Sequence, residues 1–218
     1  MTFFEELQEH GYLFLEGFYA DHEHLDAVSV IGKPQALGSG LALHVLTPTD
    51  PNRATPNTYS GMFGRGIFPF HTDLAHWRRP PRYMLLRCDI GFEDVPTLVV
   101  DGREVVAKAG RDLISRALVQ PRRPIRGKLP LLKLMQSIDD HDLIRWDEIF
   151  IKPASDNGKA GMTAFKTALE MCRPKAICLV SRGDTLVLDN WRMLHARAPV
   201  GNEHASRRIL RSYLEDLH

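Results

Sequence analysis

Two histidines and an aspartate are the residues of this chain best suited by type and spacing to gather round a metal: His71 and Asp73, separated by Thr72, and His195 far downstream. Two imidazoles and one carboxylate form a two-His-one-carboxylate facial triad, the ligand set that leaves open positions on a non-haem Fe(II). In an extended segment residues i and i+2 point to the same face, about 6–7 Å apart along the chain, so His71 and Asp73 can converge on one ion. The long separation from His195 is no obstacle, because loop-closure cost grows only by about 0.6 kcal/mol per doubling of length. Redox chemistry at such a centre needs a co-substrate that supplies two electrons. If that is a 2-oxo diacid, its distal carboxylate needs an arginine, since a bidentate guanidinium–carboxylate pair is strong and fixes orientation. Arg207-Arg208-Ile209-Leu210-Arg211 offers one on an apparent strand. Alternation puts Arg207, Ile209 and Arg211 on one face and Arg208, Leu210 and Ser212 on the other.

Short elements must position these groups. Phe3, Phe4 and Leu7 recur at helical spacing over residues 3–9, and Gly11 ends that helix. Residues 12–15 read as a buried strand, and Asp21 as the N-cap of a helix over 22–31 that Gly32 and Pro34 stop. Residues 38–66, rich in Gly, Pro, Thr and Asn with one apolar stretch at 41–46, read as strands and long loops, and Phe68-Pro69-Phe70 leads into His71. Strands are predicted at 83–88, 97–100, 143–152, 176–180, 185–188 and 208–214, and helices at 103–118 and 160–172. Residues 121–130 form a loop, and His195 is expected on a loop after the Gly183-Asp184 turn. Many short strands with a few outer helices, and no internal repeat, predict a mainly β, jelly-roll architecture in one domain over 1–218.

Bulk properties narrow the function classes. The chain has 218 residues, 44% hydrophobic and 25% charged, ordinary values for a soluble globular protein. A net charge of +1 gives no reason to expect nucleic acid or an anionic membrane as partner. A mid-chain basic run from Arg111 to Lys133 reads first as a solvated face. Cys88, Cys172 and Cys178 are too few and scattered for a disulfide framework and fit a reducing compartment. Acidic Glu5 and Glu6 stand where a signal peptide would be basic, and no apolar run spans a bilayer, so a cytoplasmic location is expected.

The chain resembles the Fe(II)/2-oxoglutarate-dependent dioxygenases of the taurine dioxygenase and γ-butyrobetaine hydroxylase superfamily. Four anchors carry the resemblance: Phe70-His71-Thr72-Asp73 with Pro80-Pro81 and the apolar run Met84–Cys88; Thr97; Gly183-Asp184 followed by Asp189-Asn190-Trp191-Arg192-Met193-Leu194-His195-Ala196-Arg197; and Arg207-Arg208. Together they extend over most of the chain. The resemblance implies a double-stranded β-helix, cupin-like core with flanking helices. It implies Fe(II) on His71, Asp73 and His195, with Arg208 and Thr97 holding the distal carboxylate of 2-oxoglutarate. It also implies O2-driven decarboxylation to succinate and CO2, coupled to hydroxylation of a small polar metabolite such as an amino acid or related carboxylate. Desaturation or cyclisation are variants; a carboxylate at Asp73 argues against halogenation, which needs a small residue there. A small-molecule substrate is expected, and a homo-oligomer is compatible.

Other readings compete locally. A lone His-x-Asp is ordinarily a surface accident or a structural pair. His22, His24 and Asp26 form a rival cluster that reads as an exposed helix start. His76, Trp77 and Arg145-Trp146-Asp147 could face substrate, Arg78, Arg79 and Arg82 could attract an anion, Arg197 could brace the loop carrying His195, and Gly61, Gly64 and Gly66 suit a loop bordering the site better than a phosphate cradle. A zinc hydrolase using the same triad, or a cupin-like binding module, are the alternatives from other classes.

Overall fold

The computed structural model describes residues 3–37, 40, 42–55 and 57–218. In chain order its first part is α1 (Phe3–His10), β1 (Tyr12–Leu15), α2 (His24–Ile31), β2 (Gly32–Gln35), β3 (His44–Leu46), α3 (Tyr59–Phe63), β4 (Phe68–His71), β5 (Tyr83–Ile90) and β6 (Thr97–Asp101). An excursion follows: α4 (Gly102–Ala109), α5 (Arg111–Arg116), β7 (Leu118–Pro121), β8 (Leu132–Lys133), β9 (Met135–Ile138), β10 (His141–Ile144), β11 (Ile151–Pro153) and α6 (Asp156–Glu170). The chain then returns through β12 (Lys175–Ile177), β13 (Thr185–Asp189), β14 (Met193–Arg197) and β15 (Arg208–Leu217).

Two antiparallel sheets make the frame. The larger has the order β1-β13-β5-β15-β2, with β3 also pairing β15; the smaller has the order β12-β6-β14-β4. From β3 to β6, and again from β12 to β15, successive strands alternate between the sheets, which is the winding of a jelly roll. The space between them holds Met84 and Leu86 of β5, Leu186 of β13 and Ile209 of β15 against Val99 of β6 and Met193 of β14. The far face of the large sheet, with Leu85, Val187 and Leu214, is covered by Leu7 of α1 and Val28 and Ile31 of α2. The far face of the small sheet, with Val100 and Leu194, is covered by Val105, Ile114 and Phe165 from α4, α5 and α6. Strands buried on both faces read as continuous apolar runs, which explains Tyr83–Cys88. Each fully buried aliphatic side chain contributes roughly 1.5–3 kcal/mol.

Several expectations shift in detail. The helix predicted at 103–118 breaks in two at Gly110, whose φ of +94° favours glycine. The last helix starts earlier, because the Ser155 hydroxyl accepts from the Gly158 N–H at 2.9 Å. The helix assigned to Asp21 starts after Glu23 instead, without a side-chain cap. The strand predicted at 143–152 is two strands, interrupted where the Asp147 carboxylate takes the N–H groups of Ile149 and Phe150. Of the apolar stretch at 41–46, Leu41 lies outside the described residues and His44–Leu46 is β3.

The rival cluster at the start of α2 dissolves. His24 is buried, with Nε2 2.8 Å from the Ser212 hydroxyl of β15, while that hydroxyl donates to the Ala42 carbonyl at 2.7 Å. The imidazole is therefore the donor, and its Nδ1 has no partner. Burial, then the charge of Arg87, pushes the His24 pKa down to about 4. The unfolded chain protonates this group near pH 6.5, the folded protein only near the lowered value. Its contribution is thus complete above about pH 6.5 and is lost as pH falls toward 4, by roughly 3 kcal/mol. Denaturant unfolding as a function of pH should show this acid-side loss, and His24→Gln should flatten it.

Candidate active site

His71 closes β4 and His195 lies in mid-β14; the register sets them directly opposite, with ring centroids 4.3 Å apart. The strand, rather than the expected loop, fixes His195: β14 is hydrogen-bonded to β6 on one side and β4 on the other. Asp73 lies beyond the end of β4, in a turn where Leu74 has φ +57°. Asn190 brings it back. Its carbonyl accepts the Asp73 N–H at 2.7 Å, and its amide donates to the carbonyls of Asp73 at 3.0 Å and Pro81 at 2.9 Å. Thr72 is tied to Trp146 by two further bonds, from its N–H to the Trp146 carbonyl at 2.8 Å and from the Trp146 N–H to its hydroxyl at 3.1 Å. Trp191 donates to the Pro80 carbonyl at 2.9 Å and Arg82 reaches Asp189 at 3.3 Å, so the whole Asp189–Trp191 turn carries the segment after β4. Asn190→Ala strips partners from three buried backbone groups, each costing about 1–3 kcal/mol if left unpaired. A fall in unfolding free energy of about 3 kcal/mol or more, together with weaker metal uptake in titration, is the expected result.

The donor atoms converge. Asp73 Oδ1 is 3.5 Å from His71 Nε2 and 3.9 Å from His195 Nε2, and one ligand atom from each residue lies within 4.8 Å of the others. His71 Nδ1 donates to the Pro69 carbonyl at 2.8 Å, which leaves the Nε2 lone pair toward the centre. The second oxygen of Asp73, Oδ2, is occupied by the Tyr213 hydroxyl at 2.7 Å and Arg211 Nη1 at 3.0 Å. One carboxylate oxygen is thus held by the protein and the other is free for a cation. Burial opposes ionisation of Asp73, but Arg211, His71 and His195 outweigh it and hold the carboxyl well below the usual range. Burial, then the neighbouring His71, pushes His195 down to about 3. Burial lowers the pKa of His71, but its contact with the Asp73 carboxylate outweighs this and raises it, so a cation at the centre would take the place of a proton on Nε2; a carboxylate and neutral imidazoles are the forms that bind metals.

These groups open on a cavity of about 750 Å³. One end is formed by Thr97, Arg197, Arg207 and Ile209, with Leu86 and Met84. Arg207 is 6% exposed, its Nε has no partner, and no carboxylate lies within ion-pair distance of it among the described residues. Arg208, matched to the 2-oxoglutarate anchor in the sequence, does not reach this cavity: its side chain is 51% exposed and ion-paired with Asp89 on the outer surface. Strand alternation decides the matter, since Arg207, Ile209, Arg211 and Tyr213 line the cavity and Arg208 points away. Thr97 is buried and faces Arg197 across the β6–β14 pair. Arg197 donates to the Gly64 and Gly66 carbonyls, each at 2.8 Å, and lies 3.6 Å over the Phe68 ring. It braces the glycine-containing segment beside the cavity, and not the stretch that carries His195.

The other wall comes from α3 and the excursion. Tyr59 stacks on His71 with centroids 4.2 Å apart, and Asp147, Phe150, His76, Arg122 and Arg123 complete it. Arg145 points elsewhere: fully buried, it donates to the carbonyls of Lys133, Ala75 and Trp77 at 2.8, 2.8 and 2.6 Å and so holds the segment after Asp73. Trp146 stacks on Phe165 at 4.5 Å in the outer core. Trp77, Arg79 and Arg82 border a separate surface pocket, where Arg79 pairs with Asp139 at 2.7 Å. Of the mid-chain basic run, Arg122 and Arg123 reach the cavity mouth. Tyr59 and Tyr213 carried no signal in the sequence beyond, for Tyr213, its place two residues after Arg211 on the same strand face.

No protein-family model matches the chain. Solved structures do. An asparagine oxygenase in complex with Fe(II), 3-hydroxyasparagine and succinate superposes with a TM-score of 0.72 at 13% identity, covering 96% of this chain and 77% of that one. The non-heme iron oxygenase OrfP, in complex with Fe and alpha-ketoglutaric acid, gives 0.70 at 17% identity over 98% and 78% of the two chains. PvcB from Pseudomonas aeruginosa gives 0.66 at 18% identity over 95% and 77%. At such identities the likeness concerns the fold, and it agrees with the jelly-roll winding of the two sheets.

Proposed function

We propose that this chain is an Fe(II)- and 2-oxoglutarate-dependent oxygenase of the taurine dioxygenase and γ-butyrobetaine hydroxylase-like superfamily, one domain over residues 1–218. Its reaction is hydroxylation of an unactivated C–H bond in a small polar metabolite, an amino acid or related carboxylate, with release of succinate and CO2. The observation that carries this reading is a pair of features in one cavity: three converging atoms able to hold a metal, and a buried guanidinium, Arg207, with no carboxylate within ion-pair distance among the described residues. A single protein-held oxygen on Asp73, and a His71 tautomer fixed by Pro69, fit a ligand set presenting one oxygen and two nitrogens. The hydroxyasparagine and hydroxyarginine in solved structures of the same fold support the substrate class. The unbridged cysteines fit a reducing compartment.

His71 Nε2, Asp73 Oδ1 and His195 Nε2 would hold the iron, and Arg207 with the Thr97 hydroxyl would seat the distal carboxylate of 2-oxoglutarate. When bound, the iron and its co-substrate supply O2 activation at the cost of decarboxylating the 2-oxo acid. The protein's part is orientation. Arg211 and Tyr213 keep Asp73 from turning its second oxygen inward. Leu86, Met84 and Ile209 exclude water beside the co-substrate, and the stacked Tyr59 fixes the His71 ring plane. Substrate enters from the wall formed by Asp147, Phe150 and the mouth arginines, so its C–H bond is aligned by contacts rather than by acid–base chemistry. A carboxylate at Asp73, where a halogenase would carry a small residue, argues against halogenation.

Incubation with Fe(II), O2, 2-oxoglutarate and a panel of amino acids tests the reading. Succinate should form only with iron and O2 present, and a substrate should raise its rate above the uncoupled background. A zinc hydrolase would make no succinate; a binding module would take up 2-oxoglutarate without turning it over.

A further inference from the structure

Two buried charged groups line the cavity with no counter-charge within ion-pair distance among the described residues, and the co-substrate accounts for only Arg207. The other is Asp147, 2% exposed. Its Oδ1 accepts the N–H groups of Ile149 and Phe150, both at 2.8 Å, and no Lys or Arg lies within ion-pair distance among the described residues. Other buried carboxylates of the chain are better satisfied. Asp73 has Arg211 and Tyr213, Asp189 has Arg82, and Asp184 accepts backbone N–H groups from Gly17, Val180 and Ser181. A carboxylate taken out of water without a counter-charge is costly, and a cationic ligand removes that cost.

The surroundings suit a cation. The Tyr59 hydroxyl lies beside the Asp147 carboxylate, and the Tyr59 ring, packed among Phe63, Phe68 and Phe150, stacks on His71. Asp147 therefore sits one aromatic ring away from the triad, on the substrate side of the cavity. At the mouth of the same cavity Arg122, whose guanidinium also donates to the Glu148 carbonyl at 3.1 Å, and Arg123 are exposed and have no carboxylate within ion-pair distance among the described residues. A carboxylate within and guanidinium groups at the rim are the complement of a molecule with a positive inner end and a negative outer one.

We infer that Asp147 is a specificity-determining residue that receives an ammonium or guanidinium group of the substrate, which makes the substrate an amino acid engaged through a positive charge. The inference rests on the oxygenase reading and deepens it. It requires that the cation be recognised before any chemistry, so it is tested by binding.

The experiment uses the iron- and 2-oxoglutarate-loaded protein without O2, and calorimetry with L-arginine, L-citrulline, α-N-acetyl-L-arginine and L-asparagine beside α-N-acetyl-L-asparagine. At least one cationic member should bind roughly 30-fold or more tightly than its uncharged counterpart, as expected for a desolvated charge pair. The arginine–citrulline comparison reports a side-chain cation and the N-acetyl comparisons an α-ammonium, so the pair that differs names the group on Asp147. Asp147→Asn keeps a carbonyl oxygen for Ile149 and Phe150 while removing the charge, and should shrink the preference to within about threefold. If no cationic member outbinds its counterpart in the wild-type protein, the inference is overturned without recourse to any variant. It is equally overturned if Asp147→Asn weakens iron binding but leaves the preference intact, because Asp147 would then only offset the metal's charge. Succinate release by the wild-type protein, measured separately with O2 both without amine and with the amino-acid panel, reports on the oxygenase reading: succinate without a cation preference sinks the role of Asp147 alone, and a cation preference without succinate under either condition supports Asp147 while sinking the oxygenase.

Discussion

His195→Ala should abolish the proposed iron-dependent succinate formation and leave the metal-free protein folded. Both halves follow from geometry. His195 supplies one of the three donor atoms that lie within 4.8 Å of one another, so its loss leaves an adjacent His and Asp that hold a divalent ion far more weakly. The backbone around it is secured by β4 and β6, and its Nδ1 makes no hydrogen bond that the fold would miss. Asp73→Ala is the less clean experiment, because it strands the Tyr213 hydroxyl and the Arg211 guanidinium. A ligand that binds only the native state stabilises it by about 2.7 kcal/mol at a hundredfold excess over Kd. Unfolding of the wild-type protein should therefore shift upward as Fe(II) or Co(II) is added, and that increment should vanish in His195→Ala. An undiminished metal-induced shift in the variant would place the ion elsewhere and remove the basis of the proposed chemistry.

The triad was legible because its chemistry is written in residue types. Three donors of the right kind stand out wherever the fold later puts them, and His71 and Asp73 share a face at the simplest spacing. What the sequence could not show is how Asp73 is held. It lies past the end of its strand, and Asn190, in a turn remote in the chain, fixes it through backbone groups. The winding was legible in outline, since apolar runs such as Tyr83–Cys88 and Thr185–Leu188 signal strands covered on both faces. The same double burial hid the strand around His195, because Met193, Leu194, His195 and Ala196 are all buried and no alternation marks them. Asp147 and Tyr59 belong to an irregular segment and a one-turn helix, whose approach to His71 is decided by tertiary packing. The choice between Arg207 and Arg208 is a different kind of failure. Alternation correctly grouped Arg207 with Ile209 and Arg211, but motif matching favoured the neighbouring residue, and a register irregularity between Arg208 and Ile209 blurs the pattern at that point. Arg211 decides it: a guanidinium that reaches Asp73 must share its strand face with Arg207.

That correction predicts opposite outcomes for two adjacent arginines. Arg208→Ala removes an ion pair from a half-exposed side chain, worth about 0–1 kcal/mol, and should leave the 2-oxoglutarate requirement within twofold of wild type. Arg207→Ala removes the buried guanidinium at the end of the cavity. Losing one partner of a buried, hydrogen-bonded charge pair costs about 2–5 kcal/mol, which is roughly a thirtyfold to several-thousandfold rise in the Kd for 2-oxoglutarate. Iron binding, measured without co-substrate, should be little changed, since Arg207 makes no hydrogen bond or ion pair with His71, Asp73 or His195, the three residues proposed to hold the metal. Stability of the ligand-free protein should hold or rise, because an unpaired buried cation is a cost to the fold that alanine removes. Gain of stability together with loss of co-substrate affinity distinguishes a binding group from a structural one: a structural arginine would lose both. If Arg207→Ala binds 2-oxoglutarate as tightly as wild type while Arg208→Ala does not, the strand presents its other face to the co-substrate, and the cavity beside His71 and His195 is not where the co-substrate sits.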